Sequence, residues 1–281
     1  MIWAWLITTA SGAGLDELHF GAMQDWEGAE YKDTETIRSA YERVTLQLGA
    51  AIANTVLHPP ASHGLSGIGV DVNSSFSFID TRRSLDGTPS PWALMTPDEL
   101  PSDSLWITEV VARKGLPLSS EIGAKLGYIG MSKQGDFGAW GRIVPLEGYA
   151  NLPDLAIQVG YSGYIGSNQL AVGTTDIGVA VGKGFPIGPQ MNVNETVISP
   201  FAGAGKLMIR AMPRITKAAQ DELGISSYSS NKDNPDYKEG HAPIYAGLGV
   251  QILNNDFRFQ MSYRYTVNTL STISGTAGFL F

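Results

Sequence analysis

Side chains equipped for acid–base or metal chemistry are few in this sequence. Histidine is the one side chain whose ordinary charge change falls near neutral pH, and the chain carries four: His19, His58, His63 and His241. His58 and His63 flank Pro59 and Pro60, with no H-x-x-x-H helix and no Glu partner beside them, so their spacing assigns them a structural role. His241 closes the stretch DNPDYKEGH, with Asp233, Asp236 and Glu239. Those oxygens are of the kind Ca²⁺ accepts. The calcium-loop spacing is not met, and the stretch reads as a solvated loop. Cysteine is absent, which removes thiolate chemistry, disulfides and a lipoprotein anchor. Gly67–Gly69 and Gly247–Gly249 sit in alternating stretches and are not phosphate loops. The expectation is no enzyme, no metal and no cofactor.

The chemistry that remains is a set of charged residues at alternate positions in otherwise apolar stretches. Glu109, Arg113, Glu121, Lys125, Arg142, Asp176, Lys206, Arg210, Arg258, Gln260 and Arg264 fall on the polar parity of their segments. In FRFQMSYRYT, Phe257, Phe259, Met261, Tyr263 and Tyr265 occupy one face and Arg258, Gln260, Ser262, Arg264 and Thr266 the other. Ile68, Val70, Val72, Phe76 and Phe78 oppose Gly69, Asp71, Asn73, Ser75 and Ser77 in the same way. Two arginines and a glutamine facing a dry core would be costly. Parity alone leaves two readings: a barrel with an apolar outside and a polar lumen, or a soluble sandwich whose aromatic face packs inward.

Composition and connections separate them. Only 16% of the 281 residues are charged and 33 are glycine. The mean hydropathy is −0.03, with no apolar run of the ~18 positions that a spanning helix needs. Alternating membrane strands give this average, because lipid-facing and lumen-facing residues cancel. From Ser66 onward the alternation marks about ten strands, within a range of roughly 8–12, an even number being expected of a single-chain bacterial barrel. With strands alternating in direction, the two long breaks, 81–103 and 213–242, fall on one side. The turns at Gly115–Leu118 and Asn254–Asp256 fall on the other and are short, as in membrane barrels. The expected fold is all-β: a closed antiparallel transmembrane β-barrel over 58–281 with an N-terminal amphipathic helix.

Ahead of the barrel, Met1 to Ala13 has a short apolar core and small residues at Ser11 and Ala13, a signal-peptide pattern without its basic start; the alternative is a buried N-terminal strand. Residues 14–34 read as a flexible periplasmic segment. Ile37, Ala40, Tyr41, Val44, Leu48, Ala51 and Ile52 recur at helical spacing, capped by Asp33 or Thr34 and ended by Pro59 and Pro60, which predicts a helix over 35–57. The net charge of −8 argues against a nucleic-acid partner, which would require a basic face.

The last stretch, LSTISGTAGFLF, alternates and ends on Phe281, and so resembles the closing strand of bacterial outer-membrane β-barrels. That resemblance implies a Gram-negative outer-membrane location, contact with outer-membrane lipid and lipopolysaccharide, and a terminal signal, Phe279 and Phe281, read by the barrel assembly machinery. LHPPASHGLSGIGVDV, following a helix, weakly resembles the start of the FadL-type transporters of hydrophobic compounds, in which a short plug precedes the first strand. That family uses more strands, so fatty-acid transport does not carry over. The functional expectation is a narrow pore or transporter for a small or hydrophobic solute, its periplasmic mouth capped by the helix. The alternatives are a structural or surface-interaction barrel without flux and, third, an outer-membrane hydrolase.

Overall fold

The computed structural model describes residues 18, 20, 34–62, 64–79, 90–96, 102–130, 132, 134–149, 152–187, 196–230 and 242–281. The signal-peptide expectation and the stretch with His241 lie outside them, as do His19 and His63. Ten long strands dominate: β1 (Ile68–Phe78), β2 (Ser104–Leu116), β3 (Ser120–Ile129), β4 (Gln134–Leu146), β5 (Asp154–Ile165), β6 (Leu170–Gly182), β8 (Thr196–Pro213), β10 (Ile244–Asn254), β11 (Phe257–Thr266) and β12 (Leu270–Leu280). Two short strands, β7 (Phe185–Ile187) and β9 (Tyr228–Ser229), both hang on β8. The long strands pair antiparallel in chain order, β6 with β8 and β8 with β10. β1 pairs with β12 from Gly69↔Leu280 to Phe78↔Ser271, and the ring closes. At the seam Ile68 N donates to Phe281 O (2.9 Å) and Phe281 N donates to Ile68 O (2.7 Å). This is the expected barrel, with ten long strands in a closed ring.

The period-2 pattern gives the wall its two faces. Outward stand Val72, Phe76, Leu126, Leu248, Phe259, Tyr263 and Phe279, all exposed, while Asp71, Glu109, Glu121, Gln158 and Arg264 are buried inside. Tight hairpins set the register. Asn255 and Asn268 take positive φ (50° and 52°) at their turns, a conformation that asparagine tolerates better than most residues.

The barrel has a near end, where β1 starts and β12 finishes, and a far end, which carries connections 79–103 and 214–243. At the far end lie α1 (Thr34–Ala51), α2 (Pro91–Met95) and α3 (Lys217–Leu223). The predicted stripe of α1 is buried: Ile37, Ala40, Tyr41, Val44, Leu48 and Ala51. Its partners are apolar residues at the far ends of the strands, among them Leu105, Ile107, Leu170, Val172, Ile209 and Leu270, which join it in one core cluster. Ser90 caps α2, its Oγ accepting from Ala93 N, and Trp92 Nε1 of α2 donates to Gln47 Oε1 of α1 at 2.5 Å.

Two expectations need correction. The helix ends at Ala51, not 57, because the carbonyls of its last turn are taken by barrel side chains and residues 52–62 leave it as a strap. The helix also sits at the mouth opposite to the one expected. Arg43 donates to Asn268 O, and Gln47 Nε2 to Thr269 O (3.0 Å), both in the far-end connection between β11 and β12. The chain thus enters at the far end and runs down the lumen to β1. Of the 14–34 segment, expected to be a flexible periplasmic stretch, the described residues Leu18 and Phe20 are buried. Phe20 N donates to Gln169 Oε1 (2.6 Å), and its ring lies 5.8 Å from that of Tyr41.

Candidate functional site

The lumen below α1 holds five cations, Arg113, Lys125, Arg142, Arg258 and Arg264, and five carboxylates, Asp71, Glu109, Glu121, Asp136 and Asp176, all buried. Inward parity on neighbouring strands brings them into clusters. Asp71 on β1 is shared by Arg258 of β11, whose Nε is 3.0 Å from Oδ1, and by Arg113 of β2, at 3.5 Å. Lys125 on β3 bridges Glu109 of β2 and Asp136 of β4, the latter at 3.0 Å, and Asn73 Nδ2 donates to Glu109 Oε2 (2.7 Å). Arg142 on β4 lies 3.2 Å from both carboxylate oxygens of Glu121. A buried charge is tolerated when paired and hydrogen-bonded, as in these clusters; Asp176 stands outside them, its carboxylate oxygens buried without a hydrogen-bond partner among the described residues.

Through these clusters passes the strap, 52–62. Its backbone is folded by two tight turns, Thr55 N donating to Ala53 O (3.1 Å) and His58 N to Val56 O (2.8 Å). Asn54 is its central anchor: Nδ2 donates to Tyr161 O (2.8 Å) and Ala139 O (3.2 Å) of the wall. The wall makes room with glycine, since a Cβ on Gly138 would lie 2.5 Å from Asn54 Nδ2. His58 Nδ1 accepts from Arg113 Nη2 (3.2 Å), which fixes the proton of the neutral ring on Nε2. At the near end Ser62 donates to Glu147 through both its backbone N–H and its hydroxyl (2.9 Å for the latter). The space left beside the strap is a cavity of about 70 Å³, lined by Asn54, Glu109, Lys125, Gln260 and Ser274 among others. A roomier vestibule of about 360 Å³ opens at the near end around Pro59, Pro60, Arg142 and Arg258.

At the far mouth, partial burial raises the carboxyl of Glu42 above the usual range, an effect that Arg38 opposes and Glu35 reinforces. Among the described residues no group of three His, Asp or Glu side chains is placed to hold a metal ion.

Of the residues expected to line the lumen, Glu109, Arg113, Glu121, Lys125, Arg142, Asp176, Arg258, Gln260 and Arg264 do so. Lys206 and Arg210 do not. They stand exposed on the outer parity of β8, because the inward positions there, Leu207, Ile209 and Ala211, form the apolar seat of α1. The rule that polar means inward fails where a helix fills the lumen. Phe279 and Phe281 are exposed on the outer side. Asp136 was missed because SKQGD reads as a turn, and Asn54 because a lone amide in an apolar run carries no periodic signal. Asp71 and Gln158 already had inward parity in the sequence.

Among the described residues no helix is long and apolar enough to cross a membrane. A closed wall that is apolar outside and charged inside satisfies its backbone within hydrocarbon. The fold is that of an outer-membrane β-barrel. No family model matches the chain, and no curated protein matches it in sequence. Solved structures it is similar to include the KdgM porin with disordered oligogalacturonate, at 5% identity over 75% of this chain and 98% of that one, with a TM-score of 0.33. The translocator domain of autotransporter NalP from Neisseria meningitidis is 11% identical over 90% of this chain and 99% of that one, also at 0.33. Omp33 of Acinetobacter baumannii gives 10%, 78% and 100%, at 0.27. Scores this low carry no argument, and the functional reading rests on the barrel's own geometry.

Proposed function

We propose that this protein is a narrow passage across the bacterial outer membrane, held shut by its own N-terminal strap, and that it serves a small or hydrophobic solute rather than acting as an enzyme. Its near end faces the periplasm and its long connections face outward, with lipopolysaccharide and lipid around the wall and the barrel assembly machinery acting on its last strand. The observation that carries this reading is the polar hold on the strap. Ten buried ionisable side chains line the lumen, and two of them, Lys125 and Arg142, together with Gln158 and Gln260, hold the strap by hydrogen bonds. Such bonds each contribute about 0.5–1.5 kcal/mol net and can be exchanged for water when the strap withdraws. A second reading, a structural barrel without flux, is favoured by the small residual cavity of about 70 Å³.

Planar-bilayer recording on the refolded full chain distinguishes them. The passage predicts a mostly closed wild type and frequent openings when Asn54→Ala and Ser62→Ala loosen the strap. A variant as silent as the wild type, although folded, would support the structural barrel.

A further inference from the structure

The strap is held by its main chain as well as by the buried side chains of Ile52, Asn54, Val56 and Leu57. Thr174 Oγ1 donates to Gly49 O (2.8 Å), Arg264 Nη2 to Ala50 O (2.8 Å) and Lys125 Nζ to Ile52 O (2.8 Å). Further down, Gln158 Nε2 donates to Asn54 O (2.9 Å) and Gln260 Nε2 to Leu57 O (3.0 Å), while Arg142 reaches Pro59 O (3.1 Å) and Ala61 O (3.4 Å). The first two carbonyls belong to the end of α1, where the helix leaves acceptors unpaired and favours cations. The remaining five belong to the strap. Donors from β3, β4, β5, β6 and β11 thus surround the strap and read carbonyls along its whole length.

The demand is one-sided. Among the backbone N–H groups of 52–62, those of Val56 and Ser62 donate to barrel side chains, Tyr245 and Glu147. Proline keeps its carbonyl and lacks an N–H, so Pro59 and Pro60 lose nothing in this lumen. We infer that the lumen is a receptor for proline-tolerant polypeptide, and that the strap is the copy of that ligand carried in cis. When the strap withdraws, the same donors take the carbonyls of another peptide. This makes a short peptide the small solute of the proposed passage and rests on that reading only in requiring the strap to leave.

The test uses the full-length Asn54→Ala/Ser62→Ala chain in detergent, with folding checked by unheated gel migration. Fluorescence anisotropy follows two labelled peptides: residues 49–64, and a shuffled peptide of the same composition that keeps both prolines. Reading by carbonyls predicts that both bind, the shuffled peptide more weakly because it loses the packing of Ile52, Val56 and Leu57. Adding Gln158→Leu and Gln260→Leu should weaken both by roughly tenfold or more, for two lost hydrogen bonds. Should that variant misfold, Gln260→Leu alone should weaken both by about threefold to fivefold. Binding of the native peptide but not the shuffled one, binding of neither, or indifference to the leucines would each overturn the inference. Ion current from the same variant without peptide scores the passage separately. Openings without peptide binding sink this inference alone, and peptide binding without openings sinks the passage.

Discussion

Replacing Lys125 with Met is the sharpest test of how dry the lumen is. The ammonium is buried between Glu109 and Asp136, side chains that are 5%, 8% and 0% exposed, and it also donates to the Ile52 carbonyl. Methionine fills similar volume but leaves two carboxylates facing one another and one strap carbonyl without its donor. Breaking a buried ion pair from one side costs about 3–5 kcal/mol, and an orphaned buried acceptor about 1–3 kcal/mol. These overlap, since one carboxyl can take up a proton, so the expected loss is about 3–5 kcal/mol. Adding Glu109→Gln and Asp136→Asn removes the facing charges and should restore all but about 1–2 kcal/mol. Urea unfolding of the refolded protein in lipid vesicles, followed by tryptophan fluorescence, measures both. A loss below about 1 kcal/mol for Lys125→Met, the range of exposed pairs, would show that water already screens the cluster and that the account of a sealed lumen is wrong.

Other perturbations probe other parts of the barrel. Leu248→Arg puts a charge on the outer face, where Leu248 is 63% exposed, and should cost about 2–4 kcal/mol in vesicles if it lies at mid-membrane; a cost near zero would deny that this face meets lipid. Gly138→Ala drives a methyl against Asn54, so Asn54→Ala should cost about 1 kcal/mol less on that background than alone, and additive losses would place Asn54 elsewhere. Because the fold raises the Glu42 carboxyl above its unfolded value, it favours the protonated form. Its contribution is favourable at low pH and is lost as pH rises through the carboxylate range. Glu42→Gln should therefore flatten that slope and add about a few tenths of a kcal/mol at neutral pH, and an unchanged slope in acid-to-neutral unfolding curves would refute the assignment.

The strands were legible because period-2 alternation is a local property of the chain. Arg258, Gln260 and Arg264 declare their face from five residues on either side, and the pairing of β1 with β12 followed from the need to close edges. What stayed hidden depended on contacts distant in sequence. Lys206 and Arg210 were misplaced because the seat of α1 reverses the polarity of the lumen at Leu207 and Ile209. The mouth chosen by α1 was illegible for the same reason. Its stripe shows that it buries one face, but only Asn268, Thr269 and Trp92, 40 or more residues away, decide where. The strap was marked only by Pro59 and Pro60 and the plug-like stretch after them, since its partners read carbonyls that every sequence shares.

The measurement closest to the central claim asks whether the strap passes through the barrel. The chain has no cysteine, so an introduced pair reports alone. A Cβ built on Gly160 lies 3.1 Å from Asn54 Cβ, slightly inside the 3.5–4.5 Å of ordinary disulfides. Asn54→Cys with Gly160→Cys should therefore form a bond on mild oxidation of the folded protein. It should close the current, and reduction should reopen it. The control, Asn54→Cys with outward-facing Leu248→Cys, should form none. Free thiols at both positions in the folded, oxidised Asn54→Cys/Gly160→Cys protein would contradict a lumen threaded by its own N-terminal segment.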